Sequence, residues 1–116
     1  MANEEVKGEG YEVKYAPDSG IVFFKGEISL GGPKDYAPIV KLLDAAANLA
    51  PPILTLNVQE LSFLNSSGIS MLSKFVLGMR KKKSQLVVLG SKAMPWQAKS
   101  LKNLERLLPG LKLVVE

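Results

Sequence analysis

The sequence predicts a single α/β domain: a mixed, mostly parallel β-sheet of about five strands, packed with α-helices. Three observations lead there. Short apolar runs bounded by breakers, residues 53–58 and 85–89, alternate with longer segments whose apolar residues recur at helical spacing. Such strand–helix–strand alternation calls for parallel pairing through right-handed crossovers. The 116 residues, 47% of them hydrophobic, are enough for one buried core and suit a single domain.

Residues 1–9 read as a flexible N-terminal segment, being polar and glycine-containing. Residues 11–15 alternate apolar and polar, residues 16–20 (Ala-Pro-Asp-Ser-Gly) make a turn, and residues 21–28 resume as a strand. The two strands form a hairpin that adds an antiparallel edge. Gly31-Gly32 breaks the chain, and Pro33 with Asp35 suits a helix start. Tyr36, Ile39, Val40, Leu42, Leu43 and Ala46 carry the apolar stripe of that helix to about Leu49, where Pro51-Pro52 ends it. Residues 53–58 read as a central strand buried on both faces. After Asn65-Ser66-Ser67-Gly68, the residues Ile69, Leu72, Phe75, Val76 and Met79 recur with helical period, and the run Arg80–Lys83 sits at the negative end of that helix. Residues 85–89 are another buried strand, residues 96–108 an amphipathic helix stopped by Pro109-Gly110, and residues 111–115 the last strand. The predicted order is ββαβαβαβ.

Composition excludes much chemistry. Without cysteine there is no disulfide framework and no thiol nucleophile; without histidine the commonest general base and metal ligand are missing. No carboxylate pair stands at a useful spacing, and neither a Gly-x-Ser-x-Gly elbow nor a phosphate-cradling glycine loop occurs. The expectation is a protein that is not an enzyme, with no catalytic residue, metal or cofactor. It shows no basic-then-apolar leader and no bilayer-length apolar run, which places it in the cytoplasm. Charge is uneven: residues 1–65 carry five lysines against nine acids, and residues 66–116 carry ten Lys or Arg against two acids. The second half is thus a basic face for an acidic partner, or solvated helix surface.

The joint at residues 61–70, Leu-Ser-Phe-Leu-Asn-Ser-Ser-Gly-Ile-Ser, puts hydroxyls at a helix start, where backbone N–H groups and the dipole favour negative charge. With Gly26-Glu27-Ile28 ahead of the first helix, this pattern resembles a STAS domain, the family of bacterial anti-sigma-factor antagonists and of the C-terminal domains of sulfate transporters. The resemblance spans residues 10–116. It implies a transcription-regulating phosphoprotein that works by partner switching. The unphosphorylated form binds an anti-sigma factor with serine-kinase activity, phosphorylation at the serine matching Ser66 dissociates the complex, and a phosphatase resets it. Asn65 stands where the family has Asp; it keeps the helix-capping hydrogen bond and loses the charge. Ser29 stands where many members have Asp.

Each position also has a plainer reading. Ser66 serves as phosphoacceptor or as helix N-cap, and Ser67 is the alternative acceptor or a small residue facing the core. Gly68 allows close helix–sheet packing. The expected partner-binding surface is Glu27, Ile28, Ser29, Leu30, Asn65, Ser66, Ser67, Ile69, Ser70 and Ser73. Trp96 is an interface anchor or a partly buried helix residue. Arg80–Lys83 reads as a solvated helix terminus rather than a nucleic-acid or membrane footprint, so no nucleic acid is expected. A second function class stays open: a STAS-like scaffold, or a module for a small anionic ligand or lipid headgroup, without phosphoregulation. Oligomeric state is not legible.

Overall fold

The computed structural model describes residues 5–108 and 110–116. Its elements are β1 (Glu5–Gly8), β2 (Tyr11–Ala16), β3 (Ile21–Ile28), α1 (Pro33–Asn48), β4 (Ile53–Leu64), α2 (Ser66–Gly78), a short 3-10 turn (Met79–Lys81), β5 (Gln85–Gly90), α3 (Gln97–Leu107) and β6 (Lys112–Val115). The six strands form one sheet in the order β1-β2-β3-β4-β5-β6. The first two pairings are antiparallel and the last three parallel.

The sheet has six strands where the sequence predicts about five. Glu5–Gly8, within the segment read as a flexible tail, pairs antiparallel with β2. It offers only Val6 to the core, so apolar pattern could not reveal it. Cross-strand ion pairs, Lys14 to Glu5 at 3.5 Å and Lys7 to Glu12 at 3.9 Å, accompany the backbone ladder instead.

Each parallel crossover steps to the next strand in the same direction. Right-handed crossovers of that kind put all three helices on one face of the sheet. Two expectations change as a result. The strands of the sheet centre are buried on one face, not two: in β4, Leu54, Leu56 and Val58 are buried while Thr55, Asn57 and Gln59 are half-buried, and β5 alternates the same way. β4 also runs to Leu64, well past Val58, because β3 pairs with it as far as Ile28 opposite Leu64. A bulge in that ladder accommodates Gly26, whose φ of 91° and close approach to the Gly10 carbonyl oxygen leave no room for a Cβ.

The core lies between sheet and helices. Val22, Phe24, Ile28, Leu54, Leu56 and Leu61 from the strands meet Tyr36, Ile39 and Leu43 of α1, Leu72 and Val76 of α2, and Leu101 of α3. Gln97 is a fully buried polar residue there, and it is satisfied: its amide donates to the carbonyls of Val58 (2.7 Å) and Leu61 (3.3 Å) and accepts from the Ser91 N–H (2.7 Å). Those β4 carbonyls lie beyond Asn57, where pairing with β5 stops, so Gln97 and Trp96 cap an edge the ladder leaves open.

Candidate functional site

β3 and β4 run parallel and end side by side, so their carboxyl ends open onto one pole of the sheet. The strand order has no reversal, so no switch-point crevice marks a ligand site here; what singles out this pole is the convergence of polar groups on it. Here residues 29–32, the start of α1 and the start of α2 converge on one side chain, Asn65. Its backbone is extended (φ −76°, ψ 175°) and its Oδ1 accepts the Gly68 N–H at 3.0 Å, which makes it the N-cap of α2. The same Oδ1 accepts the Tyr36 hydroxyl at 2.5 Å. Its Nδ2 donates to the Leu30 carbonyl at 2.9 Å and, at 3.5 Å, to Ser29 Oγ. The Leu30 N–H donates to the Tyr36 hydroxyl in turn, at 3.4 Å. Asn65 therefore ties three segments together, and it needs both the acceptor and the donor of an amide to do so.

Capping by Asn65 removes the structural reading of Ser66. Ser66 is the first helical residue, is exposed, and its hydroxyl has no hydrogen-bond partner among the described residues. It stands where the first N–H groups of α2 point outward. Ser67 is half-buried and, with Ser70, Met71, Lys74 and Phe75, lines a cavity of about 460 Å³ between α2 and α1. Gly68 packs as expected: an added Cβ would lie 2.6 Å from the Tyr36 hydroxyl oxygen and 2.7 Å from Leu64 Cγ.

The remaining predicted contact residues divide. Glu27, Ser29, Ser66 and Ser70 are exposed around the pole, with Leu30, Asn65 and Ser67 half-buried among them. Ile28 is fully buried and belongs to the core, not to the surface. The signal was present, since Ile28 has the same parity as the buried Val22 and Phe24. Ile69 is half-buried against the core, and Ser73 donates back to the Ile69 carbonyl at 2.9 Å within the helix. Sequence reasoning missed Phe63, which lies opposite Glu27 in the ladder and is 43% exposed. Trp96 is half-buried and its indole N–H donates to the Leu61 carbonyl at 2.8 Å. The basic run binds its own fold: Arg80 Nε donates to the Leu107 carbonyl (2.7 Å) and Lys82 Nζ to Asn48 Oδ1 (2.9 Å), joining the ends of the three helices.

Tyr36 carries the site's clearest electrostatic signature. Burial raises its hydroxyl above the ordinary 10.0, against a lowering by the Leu30 N–H. A raised folded-state value makes the hydroxyl's contribution complete below pH 10 and lost as pH climbs beyond it. Tyr36→Phe is expected to cost about 1–2 kcal/mol at neutral pH. It should also flatten the fall in stability above pH 10 relative to the parent. Denaturant titrations of both proteins from pH 7 to 11 check this; parallel pH profiles would show that the hydroxyl is not held protonated.

Among the described residues no cluster of acids could hold a metal ion, and no helix is long and apolar enough to cross a membrane.

No protein-family model matches this chain, and no curated protein sequence matches it. Solved structures do. SiaC of Pseudomonas aeruginosa aligns over 100% of this chain and 98% of its own at 10% identity, with a TM-score of 0.74. The complex of the diguanylate cyclase SiaD with its activator SiaC, from the same organism, aligns over 97% of this chain and 98% of that one at 10% identity, TM-score 0.71. An anti-sigma factor antagonist from Mycobacterium paratuberculosis aligns over 93% of this chain and 81% of its own at 20% identity, TM-score 0.59. At these identities the likeness establishes the fold, which is the STAS-like fold.

Proposed function

We propose that this STAS-like domain is a non-catalytic, protein-binding regulator of the anti-sigma-factor-antagonist kind, gated by phosphorylation at Ser66. One observation carries the reading: Asn65 caps α2, so the Ser66 hydroxyl is left exposed at a helix start with no structural task. A phosphate there adds about −1.5 to −2 charge and three acceptor oxygens beside outward-pointing N–H groups. The domain tolerates it, while an acidic or apolar surface seated on the pole does not. The partner surface is the exposed rim of Glu27, Ser29, Phe63, Ser66 and Ser70. The partner is an anti-sigma factor with serine-kinase activity, and a phosphatase restores binding.

Two of the similar structures support the coarser claim of a protein partner by what they are: an antagonist of an anti-sigma factor, and the activator in a complex with a diguanylate cyclase. The second favours another partner class, an effector enzyme, because SiaC aligns over nearly all of both chains. Both readings use the same pole and the same hydroxyl.

The test is capture of the partner from the native cells by the parent, Ser66→Ala and Ser66→Asp. Ser66→Ala should retain the partner, and Ser66→Asp should weaken binding about tenfold or more, the effect of roughly 1.4 kcal/mol. Equal affinity of the two variants would sink the gating claim. The captured protein distinguishes a kinase-type anti-sigma factor from an effector enzyme. Retention of a small anionic molecule, with no protein captured, would favour the ligand-module reading.

A further inference from the structure

Among the described residues, all three helices cover one face of the sheet and no element covers the other. Its residues are the ones that alternate with the core positions. Ile21 and Phe23 of β3 lie beside Thr55 and Asn57 of β4, which lie beside Val87 and Leu89 of β5; Val114 of β6 follows next to Leu89. None of these side chains packs against the hydrophobic core. Of the five large hydrophobic residues that are exposed among the described residues, Phe23 (39%), Ile53 (53%) and Phe63 (43%) all lie on this one face. Scattered exposed apolar residues need no explanation, but Ile21, Phe23, Val87, Leu89 and Val114 gather on one sheet face around Thr55 and Asn57, and a patch of that kind marks an interaction surface; Phe63 lies apart, beyond Lys25 and Glu60.

Charge points to what covers it. The patch is bordered on the β1–β2 side by Glu5, Lys7, Glu12 and Lys14, which already pair with one another at 3.5 to 3.9 Å. On the β6 side lie Lys112 and Glu116. Both borders carry both signs, so a uniformly charged partner such as a nucleic acid or an anionic membrane meets repulsion on either side. A copy of the same face can be turned about a twofold axis so that acids of one border meet bases of the other. Size agrees with a modest association. Six strands about 4.8 Å apart and about 20 Å long cover on the order of 500 Å² in projection. A standard interface takes about 800 Å² from each partner.

We propose that this open face is a self-association surface, on which two copies stack sheet against sheet as the layers of a β-sandwich do. The inference goes beyond the regulatory reading and does not depend on it. The stacked pair leaves both helical layers and both Ser66 hydroxyls facing outward but covers the face that carries Glu27 and Phe63, so self-association and partner binding compete for that part of the rim.

Sedimentation equilibrium across micromolar to millimolar concentration tests it. The parent chain should rise from its 12.6 kDa toward twice that mass. Phe23→Asp and Leu89→Asp should stay monomeric throughout, with melting temperatures unchanged. Lys74→Glu, on the helical side, should dimerise like the parent. Should an aspartate variant fail to fold, Thr55→Arg, at a polar position in the middle of the face, breaks the stack without removing an apolar contact. A parent that remains monomeric at every concentration overturns the proposal. A dimer that persists in folded Phe23→Asp or Thr55→Arg overturns it too, since the contact would then lie elsewhere.

Discussion

Gly68→Ala is expected to destabilise the fold by about 2–4 kcal/mol, combining overpacking with loss of a part-buried hydrogen bond. The added methyl meets two obstacles. Leu64 Cγ would be 2.7 Å away and its Cδ1 closer still, but that side chain has rotamer freedom to give way. The Tyr36 hydroxyl, 2.6 Å away, sits at the end of a rigid, fully buried ring and is fixed by its bond to Asn65. Relief requires α2 to lift from α1 and the sheet, which carries Ser66 with it. Urea unfolding should therefore show a lower midpoint at unchanged slope, and partner binding should fall although no contact residue has changed. A loss below about 1 kcal/mol would mean that the helix slides freely and that glycine is not required by the packing.

Asn65→Ala is the second large effect, expected at about 2–4 kcal/mol from the lost cap and the orphaned part-buried groups around it. The Gly68 N–H, the Tyr36 hydroxyl and the Leu30 carbonyl all lose a partner at once. Asn65→Asp is the informative companion. A carboxylate still accepts from Gly68 and Tyr36 and suits the positive end of α2. It cannot donate to Leu30, and it sets a charged oxygen against that carbonyl. Its loss should fall between the parent and the alanine variant. If alanine and aspartate were equally damaging, the donor to Leu30 would be the whole of Asn65's contribution; if aspartate were neutral, the amide would serve only as an acceptor.

These two positions show where legibility stopped. That a polar joint opens α2 was evident from Asn65-Ser66-Ser67-Gly68 after an apolar run. Which of the three polar residues caps the helix was not, because Asn and Ser are favoured at that position to similar degrees. The register of β4 decided it: pairing through Leu64 opposite Ile28 brings Asn65, not Ser66, against the Leu30 carbonyl and the Tyr36 hydroxyl. The same long pairing turned Phe63 outward, opposite Glu27. Tyr36, 29 residues away in sequence, entered the site only through folding.

By itself, then, the sequence determined the α/β class, the order of its helices and central strands, and the place of the hydroxyl-bearing joint. Those follow from local periodicity, breakers and caps, which act within a few residues. Tertiary structure decided the strand Glu5–Gly8, the burial of Ile28, the choice of Asn65 as the cap and the bare sheet face. Each of those depends on which neighbour a segment meets across the sheet or beneath a helix, and long-range pairing, with the handedness of the crossovers, fixes that only in the assembled fold.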